Sequence, residues 1–138
     1  MKEQRLRDMG AMRGEETLLL VDDEEAILDV NREILKALGY KVMLARNGSE
    51  AVAVYQNHSG AIDLVLLDMI MPGLSGEETF TMLKNLNPEI KVILLSGYTI
   101  DGQATKILES GCQAFIQKPF KIATLSGKIR EVLDKGCN

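Results

Sequence analysis

Acidic residues stand directly behind two apolar runs of the sequence, at the points where buried strands would end. Residues 64–67 are all apolar and Asp68 follows them, and residues 17–21 are followed in the same way by Asp22 and Asp23. Such short apolar runs are typical of strands buried on both faces of a parallel sheet. The carboxyl ends of parallel strands share one edge of an open α/β sheet, and ligands bind at that edge. We therefore expect three carboxylates to lie close together there.

Three neighbouring carboxylates repel one another, so a cluster of this kind indicates a bound cation. An acid before a helix is more often a simple cap, and this alternative holds for each acid taken alone. Oxygen ligands without His or Cys suit Mg²⁺, Mn²⁺ or Ca²⁺, and Mg²⁺ is the ion that usually keeps room for waters and a phosphoryl group. The only histidine, His58, has no second His or Cys beside it in the sequence, which disfavours a zinc site.

Two further polar residues follow apolar runs and belong to the same expected edge. Ser96 comes after residues 91–95, and Lys118 comes shortly after residues 114–116. The Lys118 ammonium can pair with Asp68 or with a phosphoryl oxygen attached to it, and the Ser96 hydroxyl can donate a hydrogen bond to the same oxygen. A lone serine is usually a turn residue and a lone lysine is usually solvated. Their joint occurrence at the ends of four strands favours a phosphoryl site.

Strand and helix patterns alternate five times along the chain. The predicted strands cover residues 17–21, 40–45, 62–67, 91–95 and 114–116, and the predicted helices begin near residues 24, 47, 75, 101 and 122. Asn47 and Glu50, and Ser75 and Glu78, have the spacing of capping boxes. This alternation predicts an α/β fold with a doubly wound, five-stranded parallel sheet, helices on both faces and right-handed crossovers. The strand order 2-1-3-4-5 is an established solution for five such units.

The overall composition is that of an ordinary globular domain. The chain has 138 residues with 46% hydrophobic residues, 26% charged residues and a net charge of −4. Without a run of Lys or Arg, a nucleic-acid surface is disfavoured, and no apolar stretch approaches the length of a membrane span. We expect residues 1–16 to be a flexible lead-in, an inter-domain linker or an expression remnant, and residues 17–138 to form one domain. Cys112 and Cys137 fit reduced thiols, so we expect a cytoplasmic location.

Four segments together resemble the receiver domain of bacterial two-component response regulators. They are Leu-Val-Asp-Asp-Glu at 20–24, Leu-Asp-Met-Ile-Met-Pro-Gly at 67–73, Leu-Ser-Gly at 95–97 and Phe-Ile-Gln-Lys-Pro-Phe at 115–120. The resemblance covers roughly residues 17 to 134 and implies a flavodoxin-like receiver fold. It also implies a phosphoacceptor signalling domain, which catalyses only its own phosphorylation and slow dephosphorylation and is not otherwise an enzyme.

The resemblance implies a role for each residue of the expected edge. Asp68 would accept a phosphoryl group from a histidine of a partner kinase, with Lys118 and Ser96 holding the phosphoryl oxygens. The implied ligands of Mg²⁺, with Mn²⁺ as an alternative, are Asp22, Asp23, Asp68 and the backbone carbonyl of Ile70. The bond between Lys118 and Pro119 would be cis.

The resemblance also implies a switch. Ser96 would close on the phosphoryl oxygen and Phe115 would turn inward behind it. This movement would reshape the face formed by helix 4, strand 5 and helix 5 of the predicted order, where partners usually dock. The implied partners are a sensor histidine kinase or a histidine phosphotransfer domain, with a homodimer through the same face as a further option. Neither a nucleic acid nor a direct membrane contact is expected.

The context of the domain stays open between a stand-alone receiver and the terminal receiver of a hybrid sensor histidine kinase. Residues 14–17, Gly-Glu-Glu-Thr, resemble the junction before receivers that are fused behind kinase domains. In the family, the positions of Ile70 and Tyr98 flank the path of the water that hydrolyses the acyl phosphate. Neither side chain offers a carboxylate or amide to orient that water, so we expect a comparatively long-lived phosphoryl state.

Three alternative hypotheses concern the same residues. A phosphatase of the dehalogenase type needs a second Asp two positions after the nucleophile, and Ile70 occupies that position. A flavin-binding module of the same fold would place its phosphate beside Asp22 and Asp23, which would repel it. A receiver-like module that binds partners and is never phosphorylated remains the serious alternative.

Overall fold

The computed structural model describes residues 12–58, 60–69, 73, 75–96, 109, 111–112, 114–118 and 120–134. The five strands are β1 (Thr17–Val21), β2 (Lys41–Ala45), β3 (Leu64–Asp68), β4 (Val92–Ser96) and β5 (Ala114–Gln117). The described helices are α1 (Glu25–Ala37), α2 (Gly48–His58), α3 (Gly76–Leu86) and α4 (Ile122–Asp134). The predicted helix 4, near residues 101–110, lies outside the described residues apart from Glu109, and α4 corresponds to the predicted helix 5.

The strands form one parallel sheet in the order β2-β1-β3-β4-β5. The predicted fold class and strand order are therefore confirmed. The predicted strand bounds differ at some ends: β1 matches, whereas β3 begins two residues later than predicted and includes Asp68, and β4 includes Ser96. Asp68 and Ser96 are therefore the last residues of β3 and β4.

The sheet separates two hydrophobic cores, because successive residues of a strand point to opposite faces. Leu19 and Val21 of β1 pack with α2 and α3, whereas Leu18 and Leu20 pack with α1 and α4. Every residue of β3 and β4 is buried. This burial on both faces explains why the two strands are continuous apolar runs in the sequence.

Local capping signals in the sequence define the starts of two helices. The Ser75 side chain accepts a hydrogen bond from the Glu78 amide, and the Glu78 carboxylate accepts one from the Ser75 amide, so the predicted capping box is complete. The Asn47 side chain accepts a hydrogen bond of 2.8 Å from the Glu50 amide at the start of α2. Each such cap contributes about 1 kcal/mol to the helix that it begins.

Residues 12–16 lie against the domain at the far end of the sheet from the carboxylates. The Gly14 amide donates to the Leu38 carbonyl at 3.1 Å, and the Met12 amide donates to the Ser126 hydroxyl of α4 at 3.0 Å. Glu16 and Arg130 form a two-bond ion pair at 2.7 and 2.9 Å, which joins the start of β1 to α4. The boundary between residues 16 and 17 stays a prediction. Within the described part of the chain, no helix has the length and apolar character needed to cross a membrane.

Candidate functional site

The end of β1 places two acids at the carboxyl edge of the sheet. Asp22 follows Val21 directly, and its amide donates to the Ala45 carbonyl of β2 at 3.1 Å. One oxygen of its carboxylate accepts a hydrogen bond of 3.0 Å from the Glu24 amide, which orients the carboxylate at the start of α1. Asp22 is buried, at 4% exposure, whereas Asp23 is exposed.

The end of β3 brings Asp68 beside these acids. Val21 of β1 is paired with Leu67 of β3, so the residues that follow them are neighbours across the strands. Asp68 itself is paired with Leu95 of β4 and is buried. A carboxylate at this position has little access to water and depends on groups of the protein, or on a bound cation, to stabilise its charge.

The three acids converge on one point. Asp22, Asp23 and Asp68 each offer a carboxylate oxygen, and these oxygens lie within 4.8 Å of one another. Two unit charges at 4.8 Å repel by about 3.5 kcal/mol at an effective dielectric constant of about 20. The donor set consists of carboxylate oxygens alone, with two buried acids and one exposed acid, and this set fits a hard cation such as Mg²⁺ that retains water ligands.

Lys118 supplies the positive charge of the site from the end of β5. Its ammonium lies 3.0 Å from a carboxylate oxygen of Asp22 and 3.5 Å from one of Asp68. Burial alone would lower the pKa of Lys118, but the hydrogen bond to Asp22 and the charge of Asp68 outweigh it and raise the pKa above its usual value. Lys118 is therefore charged at neutral pH, and it points inward at the acids.

Ser96 and Phe115 lie on β4 and β5, the two strands that follow β3 in the sheet order. Ser96 ends β4, is 4% exposed and is paired with Gln117 of β5. Its carbonyl accepts a hydrogen bond of 2.6 Å from the Lys118 amide, which ties the lysine to the end of β4. Phe115 is half-buried and packs against the core on the side of α2 and α3.

The structure thus brings together Asp22, Asp23, Asp68 and Lys118, with Ser96 on the adjacent strand end. The remaining predicted positions, the Ile70 carbonyl, Tyr98 and Pro119, lie outside the described residues. Gly76, which no sequence pattern singled out as a site residue, also contacts this region. It is the first residue of α3, and its amide donates a hydrogen bond to the carbonyl of Met69. Its only sequence signal is a glycine inside the Ser75–Glu78 capping box.

Comparisons with known proteins agree with this geometry. The family model of the response regulator receiver domain matches residues 18–130. The sensor kinase CckA of Brucella abortus is 32% identical over 134 residues, which are 97% of this chain and 14% of that protein. The polar-differentiation response regulator DivK of Brucella anthropi is 30% identical over 119 residues, covering 85% of this chain and 95% of DivK.

A solved structure supports the same relationship. The CheX–CheY–BeF₃–Mg²⁺ complex from Borrelia burgdorferi contains a chain that superposes with a TM-score of 0.80 at 28% identity, over 85% of this chain and 88% of that one. The chain spans 14% and 31% of the lengths of the first two curated relatives, a sensor kinase and a cyclic di-GMP phosphodiesterase. The acids and the lysine at the carboxyl edge of the sheet are consistent with the family model that matches residues 18–130 and with these relatives. The chain therefore belongs to the response regulator receiver domain family.

Proposed function

We propose that Asp68 accepts a phosphoryl group from a histidine of a partner protein, at a site that holds Mg²⁺. The observation that carries this proposal is the convergence of three carboxylates within 4.8 Å, with the Lys118 ammonium 3.0 Å from Asp22 and 3.5 Å from Asp68. A binding surface without chemistry has no need to bury acids of like charge beside each other.

The acidic cluster is the proposed metal site. Asp22, Asp23 and Asp68 would hold Mg²⁺, or Mn²⁺ in its place, together with the Ile70 carbonyl that the resemblance to receiver domains implies as a ligand. When bound, the ion supplies positive charge that offsets the negative charge of the acids and of an incoming phosphoryl group. The fixed orientation of Asp22, whose other oxygen accepts from the Glu24 amide, prepares this ligand before the ion binds.

Asp68 is the proposed nucleophile. One of its oxygens forms a bond to phosphorus while the bond between phosphorus and the donor histidine nitrogen breaks, which leaves a neutral imidazole after proton exchange and an acyl phosphate on Asp68. The Lys118 ammonium, already beside Asp68, donates to a phosphoryl oxygen, and the Ser96 hydroxyl binds another. In this role the domain catalyses only its own phosphorylation and slow dephosphorylation.

The added phosphoryl charge gives the domain two states. Ser96 moves towards the phosphoryl group, and Phe115 turns further into the space behind it. Phe115 lies on β5, and β5 leads directly into α4, so the face formed by the predicted helix 4, β5 and α4 changes. This face is the proposed docking surface for an output partner or a second copy of the chain.

The relatives suggest the setting of this domain. The chain matches 14% of the length of CckA, which is named a sensor kinase, and 95% of DivK, which is named a response regulator. These relatives suggest that such a domain is either part of a longer kinase or a protein of its own. We propose a cytoplasmic domain whose phosphoryl donor is a sensor histidine kinase or a histidine phosphotransfer domain.

Acetyl phosphate tests the proposal without a cognate kinase. The protein is incubated with acetyl phosphate and Mg²⁺, and its intact mass is measured for the wild type, Asp68→Asn and the control Asp29→Asn. Asp29 is an exposed acid of α1 that pairs with Arg32 at 3.3 Å. We expect one phosphoryl group on the wild type and on the control, and none on Asp68→Asn. A wild type that gains no phosphoryl group would instead support a partner-binding module that is never phosphorylated.

A further inference from the structure

The residue that follows the proposed phosphoacceptor is held by backbone hydrogen bonds on two sides. The Met69 amide donates to the Leu95 carbonyl of β4 at 3.0 Å, and the Met69 carbonyl accepts from the Gly76 amide of α3 at 3.2 Å. The Met69 side chain is buried in the core between the sheet and α3. The position of the Asp68 carboxylate therefore depends on where α3 begins.

Gly76 allows α3 to approach this residue at backbone contact. A Cβ atom on Gly76 would lie 2.8 Å from the Cα and 3.0 Å from the carbonyl oxygen of Met69. Both neighbours are backbone atoms, which cannot rotate away as a side chain could. Gly76 is not among the glycines with positive φ, which are Gly39, Gly73 and Gly111. Space, and not an unusual backbone conformation, is what requires glycine at this position.

Neither side of the contact can retreat easily. The start of α3 is fixed by the complete Ser75–Glu78 capping box, and the helix is anchored by Phe80 and Leu83, which are 2% and 0% exposed. On the other side, β3 is paired with both β1 and β4. A side chain at residue 76 must therefore displace the Met69 backbone, the start of α3, or both.

We propose that Gly76 is a positioning residue for Asp68: its lack of a side chain sets the distance between α3 and Met69, and this distance places the Asp68 carboxylate against Asp22, Asp23 and Lys118. A metal or phosphoryl site tolerates a misplacement of only about 0.5 Å. The consequence for phosphoryl transfer rests on the proposed role of Asp68 as phosphoacceptor, whereas the consequence for metal binding rests only on the proposed Mg²⁺ site.

The test compares Gly76→Ala with Gly127→Ala. Gly127 lies in α4, and a Cβ atom there would meet nothing within 4 Å, so its substitution introduces the same methyl group without a contact. Mg²⁺ affinity is measured by titration calorimetry, and the rate of phosphorylation by acetyl phosphate is followed by intact mass. We expect Gly76→Ala to bind Mg²⁺ about tenfold more weakly and to be phosphorylated at least about tenfold more slowly. Gly127→Ala should match the wild type in both measurements.

Loss of stability alone would not change the Mg²⁺ affinity of the molecules that remain folded, so this readout separates positioning from a purely structural role. Equal Mg²⁺ affinity in Gly76→Ala and the wild type would overturn the proposal. If Gly76→Ala does not fold, Ser75→Ala takes its place, because it loosens the same helix start without adding atoms. It should weaken Mg²⁺ binding by about two- to fivefold, and an unchanged affinity would overturn the proposal.

The metal measurement also keeps this inference distinct from the proposed function. A wild type that binds Mg²⁺ but gains no phosphoryl group would overturn phosphoryl transfer to Asp68. The difference in Mg²⁺ affinity between the wild type and Gly76→Ala would still decide the role of Gly76.

Discussion

Replacing Lys118 with methionine removes the lysine charge that, among the described residues, faces the buried acids, and it keeps a side chain of similar length. The Lys118 ammonium lies within 3.5 Å of both Asp22 and Asp68, whose side chains are only 6% and 10% exposed. In the absence of a metal ion, the variant removes the Lys118 charge that stabilises both carboxylates. We therefore expect Lys118→Met to lower the free energy of unfolding.

The size of the effect follows from the burial of the pair. Removing one partner of a fully buried ion pair costs about 3–5 kcal/mol, whereas an exposed pair contributes about 0–1 kcal/mol. The Lys118 side chain is 22% exposed, between these limits and closer to the buried one. We expect Lys118→Met to lower the free energy of unfolding by about 2–3 kcal/mol, which lowers the melting temperature of a domain of this size by about 10 °C.

The pH range of this effect follows from the direction of the shift. Because the pKa of Lys118 is raised in the folded state, the stability from its pairing is complete below the pKa of an unfolded lysine, about 10.4. It is lost only as the pH rises through the still higher folded pKa. The difference between the wild type and Lys118→Met should therefore persist from neutral pH up to about 10.

Urea unfolding followed by far-UV circular dichroism measures this difference. The matched control is Lys128→Met, because Lys128 of α4 is 40% exposed and pairs only with Glu131 among the described contacts, at 3.4 Å. The measurements are made with EDTA and with excess Mg²⁺, and we expect Mg²⁺ to narrow the gap between Lys118→Met and the wild type, since a cation at the acids replaces the lost charge. Equal stability of Lys118→Met and Lys128→Met in EDTA would refute this reasoning.

Three further predictions address other parts of the molecule. The hydrogen bonds from Arg130 lower the pKa of Glu16 from 4.5 to about 2, so their pairing stabilises the fold above about pH 4.5 and is lost as the pH falls towards 2. Glu16→Gln should therefore lower the free energy of unfolding, measured in urea, by about 1 kcal/mol at neutral pH and by less in acid. An equal decrease at neutral and acidic pH would contradict this pairing. The buried Thr79 hydroxyl has no hydrogen-bond partner among the residues that the structure describes, so Thr79→Val should leave the free energy of unfolding unchanged or raise it by up to about 1 kcal/mol; a decrease would show that the hydroxyl is satisfied. Tyr98→Ala should shorten the lifetime of the phosphoryl group, measured by loss of the phosphorylated mass, if the bulk of Tyr98 obstructs the attacking water; an unchanged rate would exclude that steric effect.

Local signals predicted the five strands, the four described helices and the convergence of Asp22, Asp23, Asp68 and Lys118. The Ser75–Glu78 capping box depends on residues three positions apart, and the sequence alone identifies it. The acids at Asp22 and Asp68 follow apolar runs, and parallel strands bring the ends of such runs to one edge of the sheet. The topology of a parallel sheet therefore brings residues that are distant in the sequence close together in space.

Contacts between polar or featureless positions far apart in the chain could not be predicted in this way. Glu16 and Arg130 are separated by 114 residues, and each is an ordinary charged residue in its own segment. Their pairing depends on where α4 lies relative to the start of β1, which no periodicity encodes. Gly76 and Met69 are only seven residues apart, but their contact could not be predicted either, because it depends on a distance of a few ångströms between a helix start and a strand end.

The most direct test of the account is to locate the phosphoryl group itself. After incubation with acetyl phosphate and Mg²⁺, borohydride reduces an acyl phosphate to an alcohol, which marks the modified carboxylate for peptide mass spectrometry. We predict a single mark at Asp68, dependent on Mg²⁺ and absent from Asp68→Asn. A mark at an acid other than Asp68, or a mark that forms equally well in EDTA, would contradict the account.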